Sequence, residues 1–359
     1  MNLLALVEKL EALLKKLPDG LHQPILREIE PLKTLFLKQR PPRLVLLGER
    51  AVSRAQIVNA LFGTAVAGAT DDSRQSAAWD VFSLGGRGTL RMLDARRPMS
   101  VPALTRPLGA EACDLFLFVR ASTGLGEDLA ADLDHAMTVL GYADAQHAAR
   151  SKLLGLQLGD TAGEDQRLEL HGALFTRPML ADRTLDVVLF AERKKLVEQI
   201  AVELPGESQL EMARLSQNRD LQRQIANVLI KSMAAICGAI GTQPIPLADF
   251  PILTSLQATM VASLAHISGR EFSVKLAGEF LAAVGANIGA GLILREGARA
   301  VAKFVPGWGN AISGGVAAAG TFAIGRAAAS YFIDGVSLKN ARDIFRRKRK
   351  PAALLKDKA

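Results

Sequence analysis

Between residues 43 and 190, short apolar runs of strand length alternate with segments of helical periodicity. Runs of this kind, bounded by Gly, Pro or Asp, are typical of buried strands. Strands alternating with helices predict a mostly parallel sheet, whose ligands bind at the carboxyl ends of the strands. The second and third runs, joined by a glycine-rich turn, predict a β-hairpin. The runs cover residues 43–47, 79–84, 89–93, 114–119, 152–158 and 185–190.

The loop after the first predicted strand has the outline of a phosphate-binding loop. It reads LLGERAVSRAQIVNALFG from Leu46, and a nucleotide P-loop has the pattern G-x-x-x-x-G-K-[ST]. Gly48 matches the first glycine, whereas Ser53, Arg54 and Ala55 replace the second glycine, the lysine and the Mg²⁺-binding hydroxyl. We expect a loop over 48–55 and a helix from Gln56. A strand–loop–helix without a nucleotide is the alternative interpretation.

Two aspartates follow later predicted strands. Asp94 ends the third strand at the position where a G domain carries its D-x-x-G segment, with Arg97 in place of the glycine. Asp160 follows the fifth strand, where guanine recognition normally reads N-K-x-D, and Gln157 and Leu158 replace its first two residues. A carboxylate at Asp160 can accept hydrogen bonds from a guanine edge, or it can cap a helix.

After residue 193 the strand pattern ends and the chain becomes helical and rich in Ala and Gly. The predicted organisation is a short N-terminal helical segment over 1–40, an α/β domain over 41–205, an all-α domain over 206–338 and a basic tail over 339–359. The charged opening segment predicts no signal peptide.

Residues 41–205 resemble the G domain of Era-like (TRAFAC-class) bacterial GTPases, with RPPRLVLLGERAVSRAQIVNALFG (40–63) as the closest stretch. Two later stretches resemble the hydrophobic C-terminal domain of unknown function of YcjF-type proteins. They are GTQPIPLADFPILTSLQATMVASLAHISGREF (241–272) and VPGWGNAISGGVAAAGTFAIGRAAASYFIDG (305–335). The resemblance implies a P-loop G-domain fold, binding of GTP or GDP with Mg²⁺, and slow hydrolysis as a switch.

The chain departs from that pattern at most positions that contact the nucleotide, so we expect a pseudo-GTPase with little or no hydrolysis and no required cofactor. Gly48, Ser53, Arg54, Ala55, Asp94 and Asp160 would then form a vestigial nucleotide site. The expected partner is a protein, either an intact GTPase paralogue or a second copy. In such a complex, Arg54, Arg96 or Arg97 could act as an arginine finger. The alternatives are a slow GTP-binding switch and a peripheral membrane adaptor.

The helical region offers two explanations for its apolar stretches. The stretches 250–269 and 304–325 approach the length of a membrane span. The alternative is a compact helical bundle in which small residues let helix backbones approach closely. Those residues are Gly285, Gly289, Gly314, Gly315, Ala318 and Ala319.

The basic charge is concentrated at the end of the chain. Residues 346–359 contribute +6 of the formal net charge of +8, which argues against a nucleic-acid surface along the whole chain. The tail could instead contact an anionic membrane, which would place a cytoplasmic protein at the inner face of that membrane. The alternative is a solvated chain end without a ligand. Cys113 and Cys237, far apart in apolar runs, are expected to be buried thiols, and the scattered histidines show no metal-ligand spacing.

Overall fold

The structure is a computed structural model, and it describes residues 19–63, 76–121, 127–148, 150–158, 164–189, 192–242, 249–284 and 309–349. The chain forms two compact units. One, the sheet unit, is Arg40–Asn218; the other, the helical unit, combines the residues up to Gln39 with those from Arg219 onward.

The strands are β1 (Arg43–Gly48), β2 (Asp80–Ser83), β3 (Thr89–Asp94), β4 (Leu115–Arg120), β5 (Leu153–Gln157) and β6 (Thr184–Leu189). The α-helices of the described residues are α1 (Asp19–Leu32), α2 (Arg54–Phe62), α3 (Val101–Ala110), α4 (Glu127–His147), α5 (Glu164–Phe175), α6 (Pro178–Ala181), α7 (Arg193–Glu203), α8 (Gly206–Ser216), α9 (Arg219–Gly241), α10 (Asp249–Ile267), α11 (Val274–Val284), α12 (Gly309–Phe332) and α13 (Leu338–Arg349).

The six strands form one sheet in the order β2-β3-β1-β4-β5-β6. All neighbouring pairs are parallel except β2 and β3, which form the predicted antiparallel hairpin around a 3₁₀ turn. The α/β class and the mostly parallel sheet are therefore confirmed. Gly48 ends β1, so the loop of interest starts at the carboxyl edge of the sheet.

Alternation along the strands divides the sheet into two faces. Phe116 and Phe118 of β4 lie in one buried apolar cluster with Leu133 and Ala136 of α4. Because successive strand residues point to opposite faces, the odd-numbered and even-numbered positions of each strand line different layers. The two polar pairs described below, Asp94–Arg96 and Arg120–Gln157, therefore face different layers.

The boundaries of the units differ from the predicted domains at both ends of the sheet unit. Helix α8, predicted to open the all-α domain, packs in the sheet unit through polar contacts. Glu211 accepts a hydrogen bond from the Thr89 N–H at 2.8 Å, and Glu207 pairs with Arg40 at 3.2 Å. Helix α1, predicted to be a separate segment, contacts α9 of the helical unit. Composition could not show either contact, because both join residues far apart in sequence.

Small residues bring α9 and α12 together. A Cβ built on Gly238 would lie 3.0 Å from the Ala318 Cβ, and one on Gly314 would lie 2.8 Å from the Gly238 carbonyl oxygen. The predicted close approach is thus confirmed for Gly314 and Ala318. It is wrong for Gly315, which is exposed with open space around it. Ala319 is half-buried, and Gly285 and Gly289 lie outside the described residues.

Gly314 and Gly315 offer a matched test of this packing. We expect Gly314→Ala to lower the free energy of unfolding by about 1–3 kcal/mol, because its methyl group would overlap Thr242 and the α9 backbone. Gly315→Ala should instead stabilise the helix by about 0.5–1 kcal/mol, because alanine has the higher helix propensity and meets nothing there. Urea denaturation followed by circular dichroism measures both; equal effects would contradict the packing argument.

The start of the predicted basic tail is the helix α13. It buries Ala341 and Phe345 within the helical unit and leaves Arg346, Arg347 and Lys348 exposed. Residues 350–359 lie outside the described part. An amphipathic pattern, with apolar residues four positions apart, explains why this charged segment packs at all.

Among the described residues, one helix, α9, is long and apolar enough to cross a membrane, and about two thirds of its apolar window is buried inside the protein. The predicted stretch 250–269 largely coincides with α10, whose Met260, Val261 and Leu264 are fully buried. Part of the stretch 304–325 lies outside the described residues.

The two cysteines occupy different surroundings. Cys237 on α9 is buried as predicted, and its burial raises the pKa of its thiol to about 12. Cys113 is half-buried. Burial of its sulfur and the negative charge of the neighbouring Asp114 raise the pKa of that thiol well above its ordinary value. Both thiols are therefore protonated at neutral pH and weak nucleophiles.

Candidate functional site

The loop between β1 and α2 is closed by a capping box at the start of the helix. Ser53 Oγ accepts a hydrogen bond from the Gln56 N–H at 3.0 Å, and Gln56 Oε1 accepts one from the Ser53 N–H at 2.8 Å. The helix therefore begins at Arg54, two residues before the predicted start. Ser53, expected to crowd a tight turn, has an ordinary extended φ of −70° and serves as the N-cap.

Ser53 supplies a first test of this arrangement. We expect Ser53→Ala to lower the free energy of unfolding by about 1 kcal/mol, because the first turn of α2 loses its side-chain acceptor. Ser100 is the matched control, since it precedes α3 as N-cap but makes no side-chain capping bond. Ser100→Ala should therefore change the urea midpoint much less; equal losses would show that the capping box at Ser53 contributes nothing.

Gly48 is required by the geometry at the start of the loop. Its φ is +91°, and a Cβ built there would overlap the Val119 carbonyl oxygen and lie 3.1 Å from the Val119 nitrogen. The next residue ties the loop to β4: the Glu49 N–H donates to the Val119 oxygen at 2.9 Å, and Glu49 Oε2 accepts from the Ala121 N–H at 2.8 Å. Gly48 thus allows the backbones of β1 and β4 to approach closely at this point.

Arg54 occupies the position of the P-loop lysine, but its charge is neutralised within the protein. The residue is 8% exposed, and its guanidinium pairs with the carboxylate of Asp80, the first residue of β2. Sequence reasoning missed Asp80, which carries no motif. This ion pair directs the loop cation towards the edge of the sheet.

Arg96 and Asp94 form the most buried ion pair of the site. Arg96 is 1% exposed; its Nε donates to Asp94 Oδ1 and its Nη2 to Asp94 Oδ2, both at 2.8 Å. Its Nη1 donates to the carbonyl oxygens of Glu49, at 3.1 Å, and Val52. The guanidinium therefore joins the end of β3 to the backbone of the loop.

The pKa of Asp94 reflects two opposing effects. Burial would raise it, but the hydrogen bonds and the positive charge of Arg96 outweigh burial and lower the pKa below its ordinary value. Asp94 is therefore ionised at neutral pH, and its charge is already matched by Arg96.

The residues present do not match the donor set of a GTP–Mg²⁺ complex. Such a complex needs a cation aimed at the phosphates and a hydroxyl on the metal. Here Arg54 pairs with Asp80, Arg96 binds the loop carbonyls, and Ala55 has no hydroxyl. The remaining predicted site residue, Asp160, lies outside the described residues.

The predicted arginine fingers differ in accessibility. Arg54 and Arg96 are buried, so neither reaches a partner from this conformation. Arg97 has a side chain that is 42% exposed and forms only a long ion pair with Asp132, at 3.4 Å. Of the three, Arg97 alone remains a candidate for contact with another protein.

Among the described residues, no group of three or more His, Cys, Asp or Glu side chains could hold a metal ion. Compared with models of protein families and with curated proteins, the chain shows no significant match. The likeness to Era-like GTPases and to the YcjF-type domain therefore remains a resemblance of motifs and of their order.

Proposed function

We propose that this protein is a pseudo-GTPase scaffold or regulator that acts through protein contacts, with little or no GTP hydrolysis. The observation that supports this best is the internal pairing of two buried arginines that contact the loop. Arg54 pairs with Asp80 and Arg96 pairs with Asp94, so neither guanidinium is available to a triphosphate, whereas Arg50 of the same loop is exposed. A loop fixed by these ion pairs is suited to contact with a partner protein and not to binding of a nucleotide.

The proposed partner is an intact GTPase paralogue or a second copy of this chain. Arg97, exposed next to the buried Asp94–Arg96 pair, is the residue we assign to the contact. With an intact GTPase as partner, Arg97→Ala should lower the partner's hydrolysis rate. An unchanged rate with bound partner would exclude a role for Arg97 in the partner's hydrolysis.

Calorimetric titration of the full chain with GTP, GDP and ATP, with and without Mg²⁺, tests the proposal. We expect no heat of binding at millimolar nucleotide, and an intact Era-like GTPase run in parallel supplies the positive control. Micromolar, guanine-selective binding would contradict the scaffold and favour the slow GTP-binding switch. In that case Asp160→Ala should abolish the selectivity.

A second candidate function, peripheral membrane association, is favoured by α13. Phe345 and Ala341 hold this helix in the helical unit, and Arg346, Arg347 and Lys348 are exposed near its end. Near an anionic surface each basic residue contributes about 1 kcal/mol, so replacing all three by Gln should weaken liposome binding roughly 100-fold. Co-sedimentation with anionic and neutral vesicles measures it, and equal binding to both would exclude an electrostatic role.

A further inference from the structure

Arg120, the last residue of β4, is a largely buried cation with no partner among the residues that the structure describes. It is 4% exposed, and within the part of the chain that the structure describes its guanidinium donates no hydrogen bond and forms no ion pair. Arg54 and Arg96, which are similarly buried, each pair with an aspartate. No guanidinium nitrogen of Arg120 is both fully occluded and unpaired, so the group reaches the surface at the end of β4, where an anion can pair with it.

Gln157, the last residue of β5, lies next to Arg120. The two are register partners on adjacent parallel strands, so their side chains share one face of the sheet. Gln157 is 1% exposed, its Oε1 has no hydrogen-bond partner, and its Nε2 makes only a long bond of 3.4 Å to the Leu158 oxygen. A guanidinium that no described residue pairs with and a buried, unsatisfied acceptor therefore lie side by side.

This pair lies on the opposite face of the sheet from the Asp94–Arg96 pair. Phe118 shares the strand face of Arg120 and lies in the same apolar cluster as Leu93 and Ala95, whereas Asp94 points the other way. The two pairs thus face different layers, although Ala121, the residue after Arg120, donates its N–H to Glu49 of the loop at 2.8 Å. The ligand of Arg120 and Gln157 need not resemble a nucleotide triphosphate.

The carboxyl edge of the sheet adds a favourable field for an anion. Helix α4 follows β4 and helix α5 follows β5, so both helices begin at this edge with their positive ends towards it. Of the acidic residues in their first turns, Asp128, Glu164 and Asp165 are exposed. The carboxylate next to Arg120 along the chain is that of Glu49, which accepts a hydrogen bond from the Ala121 N–H at 2.8 Å.

We propose that Arg120 and Gln157 bind a protonated phosphate group, as inorganic phosphate or as a phosphate monoester. The anionic oxygens would accept from the guanidinium, and the P–OH group would donate to Gln157 Oε1. A carboxylate or a sulfate offers acceptors alone and would leave Oε1 unsatisfied. The two side chains therefore select phosphate over sulfate, and this assignment does not depend on the scaffold function.

Titration of the full chain with inorganic phosphate and with sulfate, at pH 7.5 and constant ionic strength, tests the proposal by calorimetry. We expect saturable phosphate binding, and sulfate binding at least about tenfold weaker because one buried acceptor stays unpaired. Arg120→Met should weaken phosphate binding at least about tenfold, whereas Arg106→Met, the exposed control on α3, should leave it unchanged. Equal affinity for phosphate and sulfate, or full affinity in Arg120→Met, would indicate an adventitious ion and overturn the proposal.

Two further measurements keep the test independent of folding. In phosphate-free buffer Arg120→Met should melt no lower than the wild-type chain, because it removes a charge that no described residue pairs with. Phosphate should then raise the melting temperature of the wild type alone. A variant that melts lower without phosphate would assign Arg120 a structural role. Gln157→Leu, which retains the cation, should reduce the discrimination between phosphate and sulfate, and unchanged discrimination would refute the role of Gln157.

The pH dependence distinguishes the two sources of phosphate. Inorganic phosphate keeps a P–OH group at pH 8, whereas a monoester loses its last proton near pH 6. If a monoester such as glycerol 1-phosphate is the ligand, its affinity should fall between pH 5.5 and 8 while that of inorganic phosphate is retained. Monoester binding that strengthens with pH would contradict the donor role of the P–OH group.

Discussion

Replacing Arg96 by methionine is expected to lower the free energy of unfolding by about 3–5 kcal/mol at pH 7. The variant would leave the Asp94 carboxylate buried without its counter-charge and would remove donors from the Glu49 and Val52 carbonyl oxygens. Urea denaturation followed by circular dichroism measures the loss. Arg97→Met, one residue away and exposed, should change the same quantity by less than about 0.5 kcal/mol.

The double variant Asp94→Leu/Arg96→Met separates the charge from the packing. Because it removes both buried charges, it should recover much of the stability that Arg96→Met loses. A double variant as unstable as the single one would mean that the loop contacts of Arg96, rather than its pairing with Asp94, account for the effect.

The Asp94–Arg96 pair also predicts how the free energy of unfolding depends on pH. The pKa of Asp94 is lower in the folded protein than its ordinary value of about 3.9, so its stabilising contribution is complete above that value. The contribution is lost as the pH falls through the folded pKa. In Arg96→Met, burial, the largest single influence on Asp94, is opposed only by the charge of Arg54 and raises the pKa of Asp94. The destabilisation relative to wild type should therefore shrink between pH 7 and pH 4. A difference that stays constant over this range would show that Asp94 does not carry the effect.

Gly48→Ala is the second large effect that we expect. The new Cβ would overlap the Val119 carbonyl oxygen, a backbone atom held in the centre of the sheet, at a φ of +91°. Relief requires β1 and β4 to shift apart, and we expect a loss of about 3 kcal/mol or more in the free energy of unfolding. The urea midpoint measures this change.

Gly85 supplies the matched control for Gly48. It also has a positive φ, +59°, but a Cβ there would meet no atom within 4 Å. Gly85→Ala should therefore show only the conformational cost of a positive φ, about 1 kcal/mol. Similar losses in the two variants would attribute the requirement for Gly48 to its φ and remove the role of the contact with Val119.

The sheet could be predicted from sequence because it depends on local pattern. The run Leu115–Arg120 is almost wholly apolar, so it indicates a strand buried on both faces, and the glycine-rich turn at 85–88 indicates the hairpin. The place of α8 could not be predicted in this way. Its contact with the sheet unit depends on Glu207 and Glu211 meeting Arg40 and Thr89, which lie more than one hundred residues away in sequence.

The candidate sites show the same limit. Ser53 and Gln56 have the spacing of a capping box, so the N-cap of α2 could have been found in the sequence. The partners of Arg54 and Arg96 could not, because an arginine carries no local sign of which carboxylate it will meet. Arg120 was overlooked because it follows an apolar run, where a charged residue normally marks the exposed end of a strand.

The membership of α1 in the helical unit has a consequence for synthesis. Helix α1 is followed along the chain by the whole sheet unit, from Arg40 to Asn218, and only then by α9, on which α1 packs. The ribosome therefore synthesises α1 long before α9. Until α9 is made, the apolar face of α1, with Ile25, Ile29 and Leu32, lacks the helix on which it packs. The sheet unit can complete its folding first, and the early apolar helix is the segment that would need a chaperone in the interval.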